Sequence, residues 1–306
     1  MSKLLSSNSH SKKSFIESKK LIHIPLNLNK NDNITALLVP HAGIDYSGSV
    51  ALNGYAQIAW DRYDRVIILS TNHENKSNYV PESTKFVLDD NNKEFTFDNN
   101  LSSVTVKDDE TFMSEHSWLT QMPFIDPAEN PTKIIITIIV VGNYDENLVK
   151  ELSEKINSKT LLIVNTDLLH CGGHFIESCP LNVKQYNLET IDIICDLIKN
   201  FSDAKLNNFI KILSHDRSCG ESHDRLCGES HNRLCGTYAV ATFIKIASIK
   251  GFICDDENVL YSNSRLKVTF GREIDQSNAS VGYASVPFIK KLAVSQRQPD
   301  KGVDHH

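Results

Sequence analysis

Three histidines of this sequence occupy positions from which they could bind a metal together. His41, His73 and His170 each follow, within five residues, a different strand-like run of apolar residues: 34–39, 65–70 and 160–165. In α/β proteins, ligands bind outside the carboxyl ends of the strands, where the loops converge. One such histidine alone is more often a hydrogen-bonded structural residue, but three in equivalent positions favour a functional site.

Cys235 is the candidate sulfur ligand or nucleophile. It precedes Gly236 at the start of an apolar helical pattern, where helix N–H groups and the helix dipole stabilise a thiolate. A small buried residue at a helix start is the equally good alternative. Asp167, three residues before His170, could orient an imidazole or transfer a proton. It could equally cap the N-terminus of a helix.

The elements that must position these residues are visible in the hydrophobic pattern. Unbroken apolar runs are typical of strands covered on both faces, and they occur at 34–39, 65–70, 133–141 and 160–165. Helical spacing lies between the last two runs and recurs at 47–60, 183–201, 203–213 and 236–249. Further strand-like segments, which could close the sheet with antiparallel strands, lie at 259–262, 266–270 and 281–288. We predict a single α/β domain over residues 34–292, with a mixed central sheet and helices on both faces.

The ends of the chain and one internal repeat fall outside this pattern. Residues 1–33 are polar and predict a flexible N-terminal tail, and residues 293–306 predict a C-terminal tail. Three copies of an eight-residue unit, SHDRSCGE, SHDRLCGE and SHNRLCGT, follow one another at 214–237. We interpret 214–229 as a duplicated surface loop, because lengthening a loop costs little closure entropy. A zinc site built from its histidines and cysteines is the alternative.

Composition excludes several classes of partner. The 306 residues are 40% hydrophobic and carry a net charge of −6, which gives no attraction to nucleic acid or anionic membrane. No apolar run reaches the roughly 18 residues of a membrane span, and the N-terminus has no signal-peptide pattern. We therefore expect a cytoplasmic protein whose seven cysteines are thiols, metal ligands or nucleophiles rather than a disulfide framework.

The motifs, taken in order, resemble those of the MEMO family. PHAGIDYSGS at 40–49 is similar to the family's PHAGYxYxGS signature, and HNRLCG at 231–236 to its HNxxCG. Four shorter segments match in register: 69–73, 115–117, 165–172 and 281–284. The family's N-terminal HAGSWY-like segment has no counterpart in residues 1–33. Leu119 replaces a family acidic residue, and Ser70-Thr71 replaces Gly-Pro before His73.

The resemblance implies a fold similar to class III extradiol dioxygenases and a pocket for copper or iron. The implied metal ligands are His41, His73 and Cys235. Asp167 and His170 are the implied catalytic residues, and the implied cleft-lining residues are Tyr46, Glu115 and His116.

Two functions are compatible with such a pocket. Two imidazoles and a thiolate suit copper or Fe(II) and leave positions open for oxygen or a small-molecule substrate, which favours a redox protein or oxidoreductase. Ring cleavage is not predicted, since Cys235 replaces the carboxylate of a 2-His-1-carboxylate iron site. The alternative is a non-enzymatic signalling adapter for cell motility that binds a phosphotyrosine peptide in the same cleft. The missing Trp-bearing segment weakens that alternative.

Overall fold

A mixed sheet with helices on both sides forms the body of the protein. The computed structural model describes residues 3–4, 30–87, 94–125, 134–172, 175, 178–214, 234–264 and 279–290. Its strands are β1 (Lys3–Leu4), β2 (Ile34–Val39), β3 (Arg65–Thr71), β4 (Tyr79–Val80), β5 (Lys85–Val87), β6 (Glu94–Thr96), β7 (Val106–Lys107), β8 (Ile135–Val141), β9 (Thr160–Asn165), β10 (His170–Cys171), β11 (Phe252–Cys254), β12 (Leu260–Asn263) and β13 (Ser280–Lys290).

The helices lie between these strands, and most of them connect consecutive strands. They are α1 (Ile44–Ala56), α2 (Asp109–Ser114), α3 (His116–Leu119), α4 (Met122–Ile125), α5 (Glu146–Lys155), α6 (Val183–Lys199), α7 (Asp203–Ser214) and α8 (Thr237–Lys250), with 3₁₀ turns at Trp60–Arg62 and Asp256–Asn258. Asp145, at the start of α5, accepts a hydrogen bond from the backbone N–H of Asn147, which caps this helix.

The large sheet has a parallel centre, which is joined to the strands on either side by antiparallel pairs. Its strands run in the order β10-β13-β2-β9-β3-β8-β4-β7, and β11 and β12 also pair with β13. Strand β2 is parallel to β9, and β3 is parallel to both β9 and β8. The long β13 runs antiparallel to β2. The carboxyl ends of β2, β9 and β3 therefore lie side by side at one edge of the sheet.

Alternate residues of the central strands face two separate hydrophobic cores. Leu38, Leu69 and Val164 pack in one core with the apolar faces of α5, α6, α7 and α8. Their neighbours Leu37 and Ile68 pack in the other core with α1 and the segment containing α2 to α4. Both faces are buried, which explains why these strands have unbroken apolar sequences rather than alternating ones.

The predicted α/β class, mixed sheet and two helical layers are confirmed. The runs at 34–39 and 160–165 coincide with β2 and β9, and the βαβ unit around α5 is present. Helix α1 begins at Ile44, three residues before the predicted start, and ends at Ala56. The strand β11 was not predicted, because only three residues, Phe252–Cys254, form it.

Several predicted segments lie outside the described residues. These are the strand at 266–270, the C-terminal tail, the three-copy repeat apart from residues 214 and 234–237, and the N-terminal tail apart from residues 3–4 and 30–33. Lys3–Leu4 pairs in parallel with β5 in a separate small sheet. The domain boundaries and the duplicated loop therefore stay predictions.

Two further observations bear on the sequence-based expectations. Cys171 and Cys179 form a disulfide, which corrects the expectation that the cysteines are thiols or ligands only. Cys171 ends β10, where it pairs with Ser280 of β13. In the described part of the chain, no helix is both long and apolar enough to cross a membrane.

Candidate metal centre

Three imidazole rings meet at the carboxyl edge of the central strands. His41 follows β2, His73 follows β3, and His116 opens α3. One potential ligand atom from each ring lies within 4.8 Å of those from the other two. The ring centroids of His41 and His73 are 5.0 Å apart and nearly perpendicular. The two parallel strands on either side of β9 thus deliver two of the rings, and a short helix delivers the third.

His41 is buried and fixed from two directions. Its side chain Nδ1 lies 3.0 Å from Oδ1 of Asn165, at the end of β9. Its backbone N–H donates to Oδ1 of Asp167 at 2.9 Å. Asn165 also accepts from the backbone N–H of Thr71, so one amide ties together the ends of three neighbouring strands. A hydrogen bond at Nδ1 leaves Nε2 of His41 available as a ligand atom.

His73 is held by Glu115 through two hydrogen bonds. The backbone N–H of His73 donates to Oε2 at 2.8 Å, and its Nδ1 lies 2.9 Å from Oε1. Glu115 is 1% exposed and also accepts from the backbone N–H of Ser117, which caps α3. A carboxylate on the far side of an imidazole is the usual support of a metal-bound histidine. Glu115 therefore lies beneath His73, although the sequence predicted it in the cleft lining.

Cys235 lies against His73. Its Sγ is 3.0 Å from Nε2 of His73, and its backbone N–H donates to the carbonyl of Asp167 at 3.0 Å. Gly236 follows it and directly precedes α8, and the Gly236 N–H donates to Oγ1 of Thr166. A Cβ at residue 236 would clash with Oγ1 of Thr71. Glycine at this position lets the start of α8 approach the strand ends and places the sulfur among the histidines.

His116 is the third ring of the cluster, and sequence reasoning placed it only in the cleft lining. Its ring stacks on that of His73 with centroids 4.6 Å apart. Its Nδ1 lies 3.5 Å from Oε1 of Glu115, and its side chain is 54% exposed. The sequence signal that could have identified His116 as a third ring is its position directly after Glu115. The Glu115 carboxylate is buried, and His116 lies at the pocket mouth.

The electrostatics of the cluster favour a thiolate beside charged imidazoles. Burial opposes the charged form of His73, but hydrogen bonds with Cys235 and Glu115 raise its pKa to about 10. Burial likewise opposes the Cys235 thiolate, but His41 and His73 hold the pKa of Cys235 well below its ordinary value. For Glu115, burial is outweighed by His73, and the pKa falls to about 2. Burial together with the charges of His41 and His73 lowers the pKa of His116 to about 4.

Asp167 lies between His41, a predicted metal ligand, and His170, a predicted catalytic residue. Its Oδ1 accepts from the backbone N–H groups of His41 and Ala42, and its Oδ2 lies 3.9 Å from Nε2 of both His41 and His170. That distance is an ion-pair contact, too long for a hydrogen bond. Burial opposes its ionisation, but His41 and His170 lower the pKa of Asp167 to about 2. No helix begins at Asp167, so the helix-cap alternative is wrong.

The remaining predicted residues lie nearer the surface. His170 opens β10, and its ring centroid is 5.0 Å from that of Phe175. Tyr46, in the first turn of α1, is 49% exposed. A Cβ added at residue 43 would lie 3.5 Å from Cδ2 of its ring, so the ring lies beside the segment that carries His41.

Comparisons with known proteins agree with this arrangement of motifs. Proteins named MEMO1 family protein from Sulfurisphaera tokodaii and Methanobrevibacter smithii are each 27% identical to this chain, over 170 and 157 residues. These alignments cover 51% and 46% of this chain and 60% and 54% of the relatives. A MEMO1 family protein from Thermoplasma acidophilum is 26% identical over 187 residues, covering 57% of this chain and 67% of its own length. The chain thus spans less than two thirds of the first two relatives.

A solved structure and a family model complete the comparison. An uncharacterized protein from Escherichia coli K12 aligns over 82% of this chain and 99% of its own, with a TM-score of 0.38 and 8% identity. That similarity is too low to establish a shared fold. The model of the Memo-like protein family matches residues 6–286, nearly the whole chain. The chain therefore belongs to the Memo-like protein family.

Proposed function

We propose that this protein binds a redox-active metal, copper or iron, with His41, His73 and Cys235 as ligands and His116 as a further nitrogen at the pocket mouth. One observation carries the proposal. Three imidazoles lie with ligand atoms within 4.8 Å of one another, and a cysteine sulfur lies 3.0 Å from one of them. Such convergence from four separate chain regions supports a coordination site over four structural residues.

The orientation of the rings fits a metal. The Nδ1 atoms of His41 and His73 lie at hydrogen-bond distance from protein oxygens, on Asn165 and Glu115 respectively. This leaves the Nε2 atoms as ligands and fixes the rings before any ion binds. Two imidazoles and a thiolate form a donor set that copper and Fe(II) accept. When bound, such a metal would supply one-electron redox chemistry at a position open to oxygen or a small substrate.

The surrounding carboxylates have separate roles in this proposal. Glu115 orients His73 and balances its charge, whereas Asp167 positions both His41 and Cys235 through their backbone N–H groups. Asp167 and His170 together can hold a proton beside the pocket, because Asp167 keeps its charge next to the more exposed imidazole. A metal-dependent oxidoreductase is therefore the enzyme class that we propose. Extradiol ring cleavage is not part of the proposal, since Cys235 stands where that chemistry uses a carboxylate.

The adapter function has less support. Phosphotyrosine recognition normally relies on arginine or lysine side chains that pair with the phosphate. Among the described residues, the charged partners of the cluster are the carboxylates Glu115 and Asp167. Two buried carboxylates beside the cleft would repel a phosphate, so we place peptide binding second.

Metal analysis of protein purified without chelator tests the proposal. We expect close to one equivalent of copper or iron per chain, oxygen consumption when a reductant is added, and loss of both in the variant H41A/H73A/C235A. The variant H10A/H23A removes two histidines that lie outside the family motifs in the sequence and serves as the matched control. Stoichiometric metal bound with unchanged affinity by the triple variant would disprove the site. A metal-free protein that binds phosphotyrosine peptides would favour the adapter.

A further inference from the structure

A second group of potential metal ligands lies away from the histidine cluster. Sγ of Cys195, Sγ of Cys254 and a carboxylate oxygen of Asp256 lie within 4.8 Å of one another. The two cysteines are partly buried and Asp256 is exposed. We propose that these three side chains form a zinc site, separate from the pocket and independent of the proposed function.

The fold brings the three residues together from three elements. Cys195 lies on α6, and its side chain packs against the core of that face. Cys254 ends β11, which pairs with β13 and packs against α6. Asp256 opens the following 3₁₀ turn. Residues two apart in extended backbone share a face, so Cys254 and Asp256 can both point toward the helix.

The turn that carries Asp256 is held by its own hydrogen bonds. Asp255 donates its backbone N–H to the carbonyl of Pro287 on β13 at 2.9 Å. Its carboxylate accepts from the side chain of Asn258 at 2.9 Å and from that of Asn31 at 3.3 Å. Asp255 is therefore engaged with the sheet and the preceding chain. Asp256 remains as the carboxylate directed at the two sulfurs.

The chemistry of the group points to zinc. Zn²⁺ takes thiolate and carboxylate ligands in a tetrahedral site, and three protein ligands leave one position for water. The adjacent sulfur of Cys195, burial and the nearby carboxylate of Asp256 raise the pKa of the Cys254 thiol, because a thiolate there would face another sulfur and a carboxylate. A divalent cation would relieve that repulsion, and the exposure of Asp256 gives it a path of entry.

A metal at this position would tie helix α6 to the edge of the sheet. Cys254 pairs with Phe288 of β13, whereas Cys195 belongs to a helix that otherwise contacts β11 through side chains. A ligand that binds only the folded state raises the free energy of unfolding in proportion to the logarithm of its concentration over its Kd. We therefore expect zinc to raise the melting temperature of the protein.

Cobalt substitution tests this site directly. The starting protein is the full-length variant C219S/C227S/C235S, handled under argon without a reductant so that the Cys171–Cys179 disulfide stays closed and neither the repeat, the pocket nor that pair supplies a thiol. Titration with Co²⁺ should give a sulfur-to-cobalt charge-transfer band that saturates at one equivalent. Adding Zn²⁺ should displace the bound Co²⁺ and remove the band. Adding C195S or C254S should abolish the band, and adding D256N should weaken Co²⁺ binding about 10-fold.

Folding controls keep the outcomes distinct. Circular dichroism of each variant without metal shows whether it folds. If C254S does not fold, D256N still tests the site, because it changes only an exposed side chain. Zinc should raise the melting temperature of the starting protein and not that of its C195S derivative. A thiolate band that persists in C195S would overturn the proposal, because other sulfurs would then bind the ion. So would the absence of any thiolate band in the folded starting protein.

Discussion

His73 and Glu115 are joined by two hydrogen bonds across 42 positions of sequence, one from the backbone N–H of His73 and one at its ring Nδ1. The same carboxylate caps α3 by accepting from Ser117. Glu115 thus fixes the ring of one proposed ligand and the helix that presents His116. The placement of two of the three clustered rings therefore depends on this one buried side chain.

Replacing Glu115 by glutamine should weaken metal binding without removing any ligand. The amide cannot accept at both of its terminal atoms, so the backbone N–H of His73 or its ring loses a partner. Losing an outer partner of a metal-bound histidine typically costs 10- to 100-fold in affinity, and we expect a decrease in copper affinity of about that size. Competition titration with a chelator measures it. E110Q, an exposed change on α2, should have no effect, and equal affinities for E115Q and wild type would refute the proposed role.

His116 and Cys235 should make different contributions to the site. H116A should retain one metal per chain with moderately reduced affinity, because the exposed ring at the pocket mouth is not among the three principal ligands. C235S should abolish the thiolate-to-copper charge-transfer band and reduce occupancy sharply. Absorption spectra and metal content of the two variants separate these effects. If H116A lost the metal and C235S kept it, the site would be one of three histidines.

The protein should also lose stability in acid through Asp98, far from the pocket. Burial raises the pKa of Asp98, but hydrogen bonds from Arg65 and Asn100 and the charge of Lys155 hold it below its ordinary 3.8. A carboxyl whose folded-state pKa is depressed stabilises the protein above its unfolded-state pKa. This stability is lost as the pH falls through the folded-state value.

D98N should therefore reduce the free energy of unfolding at pH 7 by at most about 1 kcal/mol, the upper range for a partly exposed ion pair. The difference from wild type should shrink as the pH falls below the ordinary value of 3.8. Urea unfolding over this pH range measures both. D64N is the matched control, since its 4.0 Å contact with Lys159 is exposed on both sides. A D98N deficit that is unchanged at low pH would exclude this linkage.

Gly236→Ala should disturb the protein where α8 meets the strand ends. The new Cβ would clash with Oγ1 of Thr71 and lie 3.2 Å from the carbonyl oxygen of Asn165. Overpacking of this kind typically costs 1–3 kcal/mol, and we expect a loss of about that size together with weaker metal binding through Cys235. T71A/G236A should recover part of the stability because it removes the nearer atom. Unchanged stability in G236A would show that α8 can move away freely.

The sequence by itself determined the central strands and the residues at their ends. Runs such as TLLIVN specify a strand because every residue is apolar, and both faces of β9 are in fact buried. The positions of His41 and His73 follow from this, since a residue directly after a parallel strand must lie at its carboxyl edge. The apolar helical pattern that starts at Gly236 marked Cys235 as a candidate, and the family motifs then linked it to the two distant histidines, which no local pattern could do.

Tertiary structure alone decided which side chains meet. The pairing of Glu115 with His73, the convergence of His116 on the cluster, and the disulfide between Cys171 and Cys179 each depend on how separate loops pack. The contact between Cys195 and Cys254 depends on the packing of α6 against β11 in the same way. Periodicity reports which face of an element is buried, but it carries no information about which distant loop lies opposite, because that contact is set by the packing of the whole core.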